Sequence, residues 1–465
     1  MPVFQLHDTI CALSTPPGMG AIAVVRLSGP DAFKAIGQIF KPAEKKLDIA
    51  AIPSHTIHLG VIGIPGNIVD EVLISCFRGP HSYTGEDVIE VSCHGSVYIQ
   101  QKLLELLFSL GIRHASPGEF TFRAFMNGKF DLSQAEAVAD LIASHSGTSH
   151  NVAFQQMRGG FSKKIQTLRA SLVEFTALIE LELDFSEEHM IFADRADMRK
   201  LLGHLETELT QLMNSFSLGN VIKSGIPVAI VGKPNVGKST LLNAILNEEK
   251  AIVSEIPGTT RDAIEDTIVI CGYSFRFIDT AGLRASEDSI ETMGIERTWE
   301  KISEASIILY VFDATEQSFE EVNASINELK QQNDGHSLNL VLIGNKTDKL
   351  DHLPQGFRNF VEYETIFVSG KRKENIHLIA EHLVDVVEKT KTTDQTIVTN
   401  SRHYEALRSA LQAIVSVRTG LNDGLSPDLV TTDIHTALYH LGEITGEITT
   451  DEILGGIFSR FCVGK

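Results

Sequence analysis

The chain has 465 residues, 43% of them hydrophobic and 22% charged, with a formal net charge of -20, and that length exceeds what one core supports, so two to four domains are expected. No apolar run reaches the ~18 residues needed to cross a bilayer, and residues 1–8 lack the basic-then-apolar pattern of a signal peptide. Five scattered cysteines (Cys11, Cys76, Cys93, Cys271, Cys462) without a C-x-x-C pair argue against a disulfide framework or a zinc site and fit a reducing, cytoplasmic compartment, while the acidic balance opposes nonspecific attraction to nucleic acid.

Residues 1–120 alternate short apolar runs with turn signals, as in Ala21 to Leu27 and Val88 to Cys93, with a helix expected from Val97 to Leu110; this reads as an α+β domain. Its loops Ser14 to Gly20 and His81 to Asp87 are rich in turn residues. From 121 to 220 the period becomes helical: Ile165, Leu168, Leu172, Phe175, Ile179 and Leu183 form an apolar stripe. The same period returns in residues 386–465, with Leu407, Leu411, Ile414 and Val417 in a helix over Tyr404 to Val417, followed by another over Leu429 to Ile444. Each block has an apolar face to cover, so one discontinuous helical domain is expected, interrupted by an insertion at a surface connection. The insertion, residues 221–385, alternates strand and helix: Ile226 to Val231, Thr267 to Cys271, Tyr273 to Ile278, Ser306 to Phe312, Leu338 to Ile343 and Glu364 to Val368. The expected fold class is multidomain α/β, the insertion being a Ras-like phosphate-loop module with a mostly parallel sheet and one antiparallel hairpin around Gly272.

Chemistry concentrates in that insertion. Gly232-Lys233-Pro234-Asn235-Val236-Gly237-Lys238-Ser239-Thr240 lies between an apolar strand and a helical pattern, the context that gives G-x-x-x-x-G-K-[ST] its meaning. A polyphosphate needs backbone N–H donors and a helix N-terminus; Lys238 would reach the β and γ phosphates and Ser239 would hold Mg²⁺. Asp279-Thr280-Ala281-Gly282 supplies a carboxylate toward Mg²⁺ and a glycine N–H toward the γ-phosphate, and Thr260, in Gly258 to Asp262, a second hydroxyl for the metal. Asn345-Lys346-Thr347-Asp348 reads the base: a carboxylate accepts from the ring N–H and amine of guanine, which adenine does not offer, so GTP is the expected nucleotide. A backbone N–H in Ser369-Gly370-Lys371 is expected to meet the guanine oxygen. Leu283 stands where small GTPases carry a water-orienting glutamine, so another residue must take that role; Glu291 is the candidate, with a solvated helix residue as its plain alternative. A cation held in part by Asn235 could replace an arginine finger.

Thr15-Pro16-Pro17-Gly18, Ser82-Tyr83-Thr84-Gly85-Glu86-Asp87, Pro117 to Thr121, Asn127-Gly128-Lys129, Asp131 to Ala137, Gly258 to Asp262, Asn400 to His403 and the ending Cys462-Val463-Gly464-Lys465 resemble the MnmE (TrmE) family of tRNA-modification GTPases along essentially the whole chain. The resemblance implies a K⁺-stimulated GTPase that works with the flavoprotein MnmG on the tRNA wobble uridine, using a one-carbon unit from a tetrahydrofolate such as the 5-formyl or 5,10-methylene derivative. It implies a homodimer formed by the N-terminal domain, and folate contacts at Arg26, Glu90, Lys129 and Lys465. It also implies K⁺ ligands at Asn235, Ser254, Ile256 and Thr259, with Ser254 and Thr259 beside the nucleotide, and Glu291 as the water-orienting residue; Lys238 is the other residue expected to be catalytic. A salt bridge is the structural alternative for Arg26. The rival function, a GTP-regulated switch in ribosome assembly, would need an RNA-binding module such as a KH domain, and none is evident.

Overall fold

The computed structural model describes residues 7–44, 47–184, 195–249, 266–278, 305–332, 339–352, 363–389, 396–459 and 461–464. The chain divides into two units: residues 1–142, 154–207 and 406–465 form one, and residues 143–153 and 208–405 the other. Among the described residues no helix is long and apolar enough to cross a membrane.

The first unit starts with β1 (Ile10–Leu13), β2 (Ile22–Ser28), α1 (Ala32–Ile39), β3 (Phe40–Pro42), β4 (Thr56–Ile64), β5 (Asn67–Phe77), β6 (Val88–His94), α2 (Val97–Ser109), β7 (Arg113–His114), α3 (Glu119–Met126) and α4 (Leu132–Ile142). The strands make one sheet in the order β3-β4-β5-β6-β2-β1-β7, with β7 parallel to β1 and the other neighbours antiparallel. Period-2 alternation sorts the faces: Ala23, Val25 and Leu27 of β2 and Val72, Ile74 and Cys76 of β5 are buried with Ile36 of α1 and Leu103 and Leu107 of α2. The opposite face presents Ile57, Leu59 and Leu73 at 66%, 49% and 44% exposure, and on it Arg26 of β2 stands directly opposite Glu90 of β6.

Behind this sheet two arginines meet three carboxylates. Arg123, fully buried, reaches Asp8 Oδ1 (2.6 Å), Glu119 Oε1 (3.1 Å) and both oxygens of Glu86 (3.2 Å), while Arg113 Nε bonds Asp8 Oδ2 at 2.6 Å. Burial raises the Asp8 pKa, but hydrogen bonds and charge from Arg113 and Arg123 outweigh it and hold the carboxyl below its ordinary value. A lowered folded-state pKa means the stabilisation is complete above the unfolded value of ~4 and is lost as pH falls through the folded one. The urea midpoint of this unit is therefore expected to be flat from neutral pH to about 5 and to fall below about 4, with a shallower acid limb in Asp8→Asn. An identical acid limb in that variant would show that Asp8 does not contribute to it.

The helices α5 (Gly147–Met157), α6 (Gly160–Asp184) and α7 (Arg195–Ser224) follow. In α6 the expected stripe is real: Ile165, Leu168, Leu172, Phe175 and Ile179 are all buried, while the Leu183 side chain lies outside the described residues. Toward the end of the chain come α11 (Ser401–Asp423), α12 (Pro427–Thr445) and α13 (Asp451–Phe458), with α12 packed along α6.

The second unit holds β8 (Ile226–Val231), α8 (Lys238–Glu249), β9 (Asp266–Ile270), β10 (Tyr273–Ile278), β11 (Ile307–Asp313), α9 (Phe319–Gln332), β12 (Leu340–Asn345), β13 (Thr365–Phe367) and α10 (Ile376–Lys389). Its sheet runs β13-β12-β11-β8-β10-β9, parallel except for the β9–β10 hairpin. Every residue of β8, β11 and β12 is buried, which is why those strands read as unbroken apolar runs. Cys271, expected to end a strand, instead forms a two-residue turn with Gly272: both have positive φ (48° and 85°), the twist that suits a tight hairpin. The chain leaves β8 toward β10 and leaves β11 toward β12, so β8 and β11 flank the switch point where such sheets bind ligands beyond their carboxyl ends.

Candidate nucleotide site

The loop from Gly232 to Gly237 turns at that switch point. Three of its residues have positive φ: Gly232 (149°), Asn235 (62°) and Gly237 (92°). A Cβ on Gly232 would collide with the Val311 carbonyl and one on Gly237 with the Asn345 amide, so both glycines answer to close approach as well as to backbone conformation. The loop feeds directly into α8, whose first turn offers the unpaired N–H groups that favour an anion. Lys238 Nζ donates to the carbonyls of Gly232 and Lys233, each at 2.8 Å, and burial lowers its pKa. The Ser239 hydroxyl has no partner among the described residues, and Thr240 is exposed on the first turn of α8.

Residues 345–348, expected from sequence to read the base, are tied to this loop. Asn345, 3% exposed at the end of β12, donates from Nδ2 to the Val236 carbonyl (2.9 Å) and accepts at Oδ1 from the Gly370 N–H (3.0 Å). Lys346, at φ 67°, donates from Nζ to the Asn235 carbonyl at 2.7 Å. Asp348 Oδ1 accepts from the Ser369 hydroxyl at 2.7 Å, and this bond is the main cause of its lowered pKa, so the carboxylate stays ionised. In Ser369-Gly370-Lys371 the first two N–H groups donate to the Glu374 carbonyl and to Asn345, leaving the Lys371 N–H without an acceptor among the described residues. Of the three N–H groups in which a donor for the guanine oxygen is expected, the Lys371 N–H is the one without an acceptor among the described residues, and Ser369 meets Asp348 through its hydroxyl.

Sequence reasoning missed Asp313, which ends β11 with its carboxylate 2.6 Å from Lys346 Nζ. The signal was a lone carboxylate closing the apolar run Ile307 to Phe312. Ser254, Ile256, Thr259, Thr260, Asp279, Thr280, Ala281, Gly282 and Glu291 lie outside the described residues, as does Lys465.

A second cluster lies in the first unit. Arg26 gives Nε and Nη2 to Glu90 Oε1, each at 2.8 Å, its guanidinium carbon lies 5.1 Å from the Tyr83 ring centre, and its Nη1 is 3.5 Å from the Gly464 carbonyl. The salt bridge weighed from sequence is therefore present, while Glu90 Oε2 has no partner among the described residues. Gly464 is held in place by the Ser14 hydroxyl, so the chain's last turn sits beside Arg26. Lys129 bonds the Pro80 carbonyl (2.9 Å), at the other end of the loop that carries Tyr83.

Two family descriptions match: the N-terminus of the GTP-binding protein TrmE over residues 9–129, and the MnmE helical domain over residues 132–462. The chain belongs to the MnmE family of tRNA modification GTPases. Similar relatives bearing that name include one from Cytophaga hutchinsonii, 52% identical over 461 residues with 98% of each chain covered, and one from Flavobacterium psychrophilum, 51% identical with 99% of each covered. Among solved structures, a GTP-binding protein from Sulfolobus solfataricus in complex with GDP aligns at 16% identity over 48% of this chain and 68% of that one, with a TM-score of 0.26. Family membership accounts for the presence of an N-terminal unit beside the phosphate-loop module.

Proposed function

We propose that this chain is the GTP-hydrolysing subunit of a tRNA wobble-uridine modification system that uses a tetrahydrofolate one-carbon donor and the flavoprotein MnmG as partner, in the cytoplasm. The observation that carries the nucleotide half is the bonding of Asn345 and Lys346 to the carbonyls of Val236 and Asn235, which ties residues 345–348 to the loop from Gly232 to Gly237. Lys238 supplies the cation for the β and γ phosphates, and Asp348 with the Lys371 N–H accepts from and donates to the guanine edge.

The donor chemistry fits the implied metals. The unpartnered Ser239 hydroxyl at the head of α8, with Thr260, would hold Mg²⁺, and Asn235, whose side chain is unpartnered among the described residues, would hold K⁺ with Ser254, Ile256 and Thr259. Together the two ions would neutralise charge that develops on the transferred phosphoryl oxygens. In this reading Glu291 orients the attacking water, and Leu283 leaves that place open to it.

For the folate half, Glu90 Oε2 is the oxygen left to a ligand after the salt bridge forms, a carboxylate suited to a pterin edge, while Arg26, whose Nη1 bonds the Gly464 carbonyl, is a cation suited to a glutamate tail, with Lys129 and Lys465 as further cations. The exposed Ile57, Leu59 and Leu73 on the same sheet face support a homodimer through the N-terminal unit. The working division is residues 1–120 for dimerisation and folate, 121–220 with 386–465 for the helical domain, and 221–385 for the GTPase.

The cation reading is checked by GTP turnover of the full chain in Na⁺ and then in K⁺ at equal ionic strength. An increase of about tenfold or more in K⁺ is expected if the ion replaces an arginine finger. Equal rates would sink the cation mechanism and leave the nucleotide assignment standing.

A further inference from the structure

Asp313 occupies a position that the nucleotide ligands alone do not explain. Its carboxylate is 4% exposed; Oδ1 accepts from the Thr315 N–H (3.0 Å) and hydroxyl (2.7 Å), and Oδ2 lies 2.6 Å from Lys346 Nζ. The same ammonium donates to the Asn235 carbonyl at 2.7 Å. A continuous polar chain thus runs from Thr315 through Asp313 and Lys346 to the phosphate loop. Lys233 makes another ion pair from that loop, to Glu321 at 3.3 Å, but both partners are half exposed and the pair is open to solvent screening.

We propose that Asp313 is a positioning residue for the guanine nucleotide: by fixing the Lys346 ammonium on the Asn235 carbonyl it holds the base-reading segment and the phosphate loop at one spacing, and a nucleotide that spans both is retained only while that spacing holds. Burial raises the Asp313 pKa, yet the bonds from Lys346 and Thr315 leave it below its ordinary value, so the carboxylate is charged throughout the neutral range. The inference rests on the base-reading role of residues 345–348, which a preference of the wild-type chain for GDP over ADP tests separately.

The test uses Asp313→Asn in the full chain, a substitution that keeps the oxygen facing Thr315 and removes the charge facing Lys346. Release of a fluorescent GDP analogue is expected to quicken about tenfold and KM for GTP to rise similarly, with kcat within about twofold, the split that separates lost positioning from lost chemistry. Lys346→Met should give the same acceleration, and the double variant should be no worse than either single one, because both remove one shared interaction. Glu321→Gln should release the analogue at the wild-type rate. A wild-type release rate in Asp313→Asn, or additive effects in the double variant, would overturn the proposal. Should Asp313→Asn lose its thermal transition, Thr315→Val keeps the charge and removes one donor that orients it; release faster by about two- to threefold is then expected, and an unchanged rate overturns the proposal equally.

Discussion

Asn345→Ala is expected to abolish useful GTP binding while leaving the N-terminal unit intact. The side chain answers two buried main-chain groups at once, the Val236 carbonyl and the Gly370 N–H, and truncation strands both. Each stranded group costs ~1–3 kcal/mol, so a combined loss near 3 kcal/mol corresponds to an affinity loss of ~100-fold. The loss should exceed that expected for Asp313→Asn, since there the main-chain groups remain paired. Titration with a fluorescent GDP analogue reads it directly; affinity within about threefold of wild type would show that the two loops keep their spacing without Asn345.

Arg123→Met carries the largest expected stability effect. Its guanidinium is fully buried and faces Asp8, Glu86 and Glu119, and a methionine of similar length leaves those carboxylates facing one another with only Arg113 to offset them. Removing one partner from a buried ionic cluster costs ~3–5 kcal/mol. Because the chain has more than one unit, a global unfolding energy is ill-defined, and amide exchange at residues 119–126 and 82–87 is the proper readout. Exchange there should accelerate while β8, β11 and β12 keep their protection. The Tyr83 hydroxyl bonds Thr121 (2.8 Å) and its ring faces Arg26, so the same variant should also loosen folate retention in the reading proposed above.

The parts legible in the sequence are those dictated by local chemistry. β8, β11 and β12 are buried on both faces and therefore read as continuous apolar runs, and α6 shows its stripe because one face alone is covered. The phosphate loop was legible because its glycines answer a need visible within eight residues. What could not be read depends on approach between distant segments: nothing near Asp313 announces Lys346, and Asp8, Glu86, Arg113, Glu119 and Arg123 meet only when β1, β7, α3 and the loop before β6 assemble. The strands β3 and β7, of three and two residues, are too short to show a period. Cys271 was misplaced because a positive φ in a non-glycine residue leaves no mark in composition.

Whether nucleotide hydrolysis by this chain drives modification of the tRNA wobble uridine, as proposed above, is tested most directly by mass analysis of tRNA nucleosides from cells lacking the chain, supplied with either the wild-type protein or Asp279→Ala. The wild-type protein is expected to restore the modified wobble uridine and Asp279→Ala to leave it unmodified at equal protein level. Full restoration by Asp279→Ala would contradict the claim, since the modification would then proceed without the carboxylate assigned to the Mg²⁺-bound nucleotide.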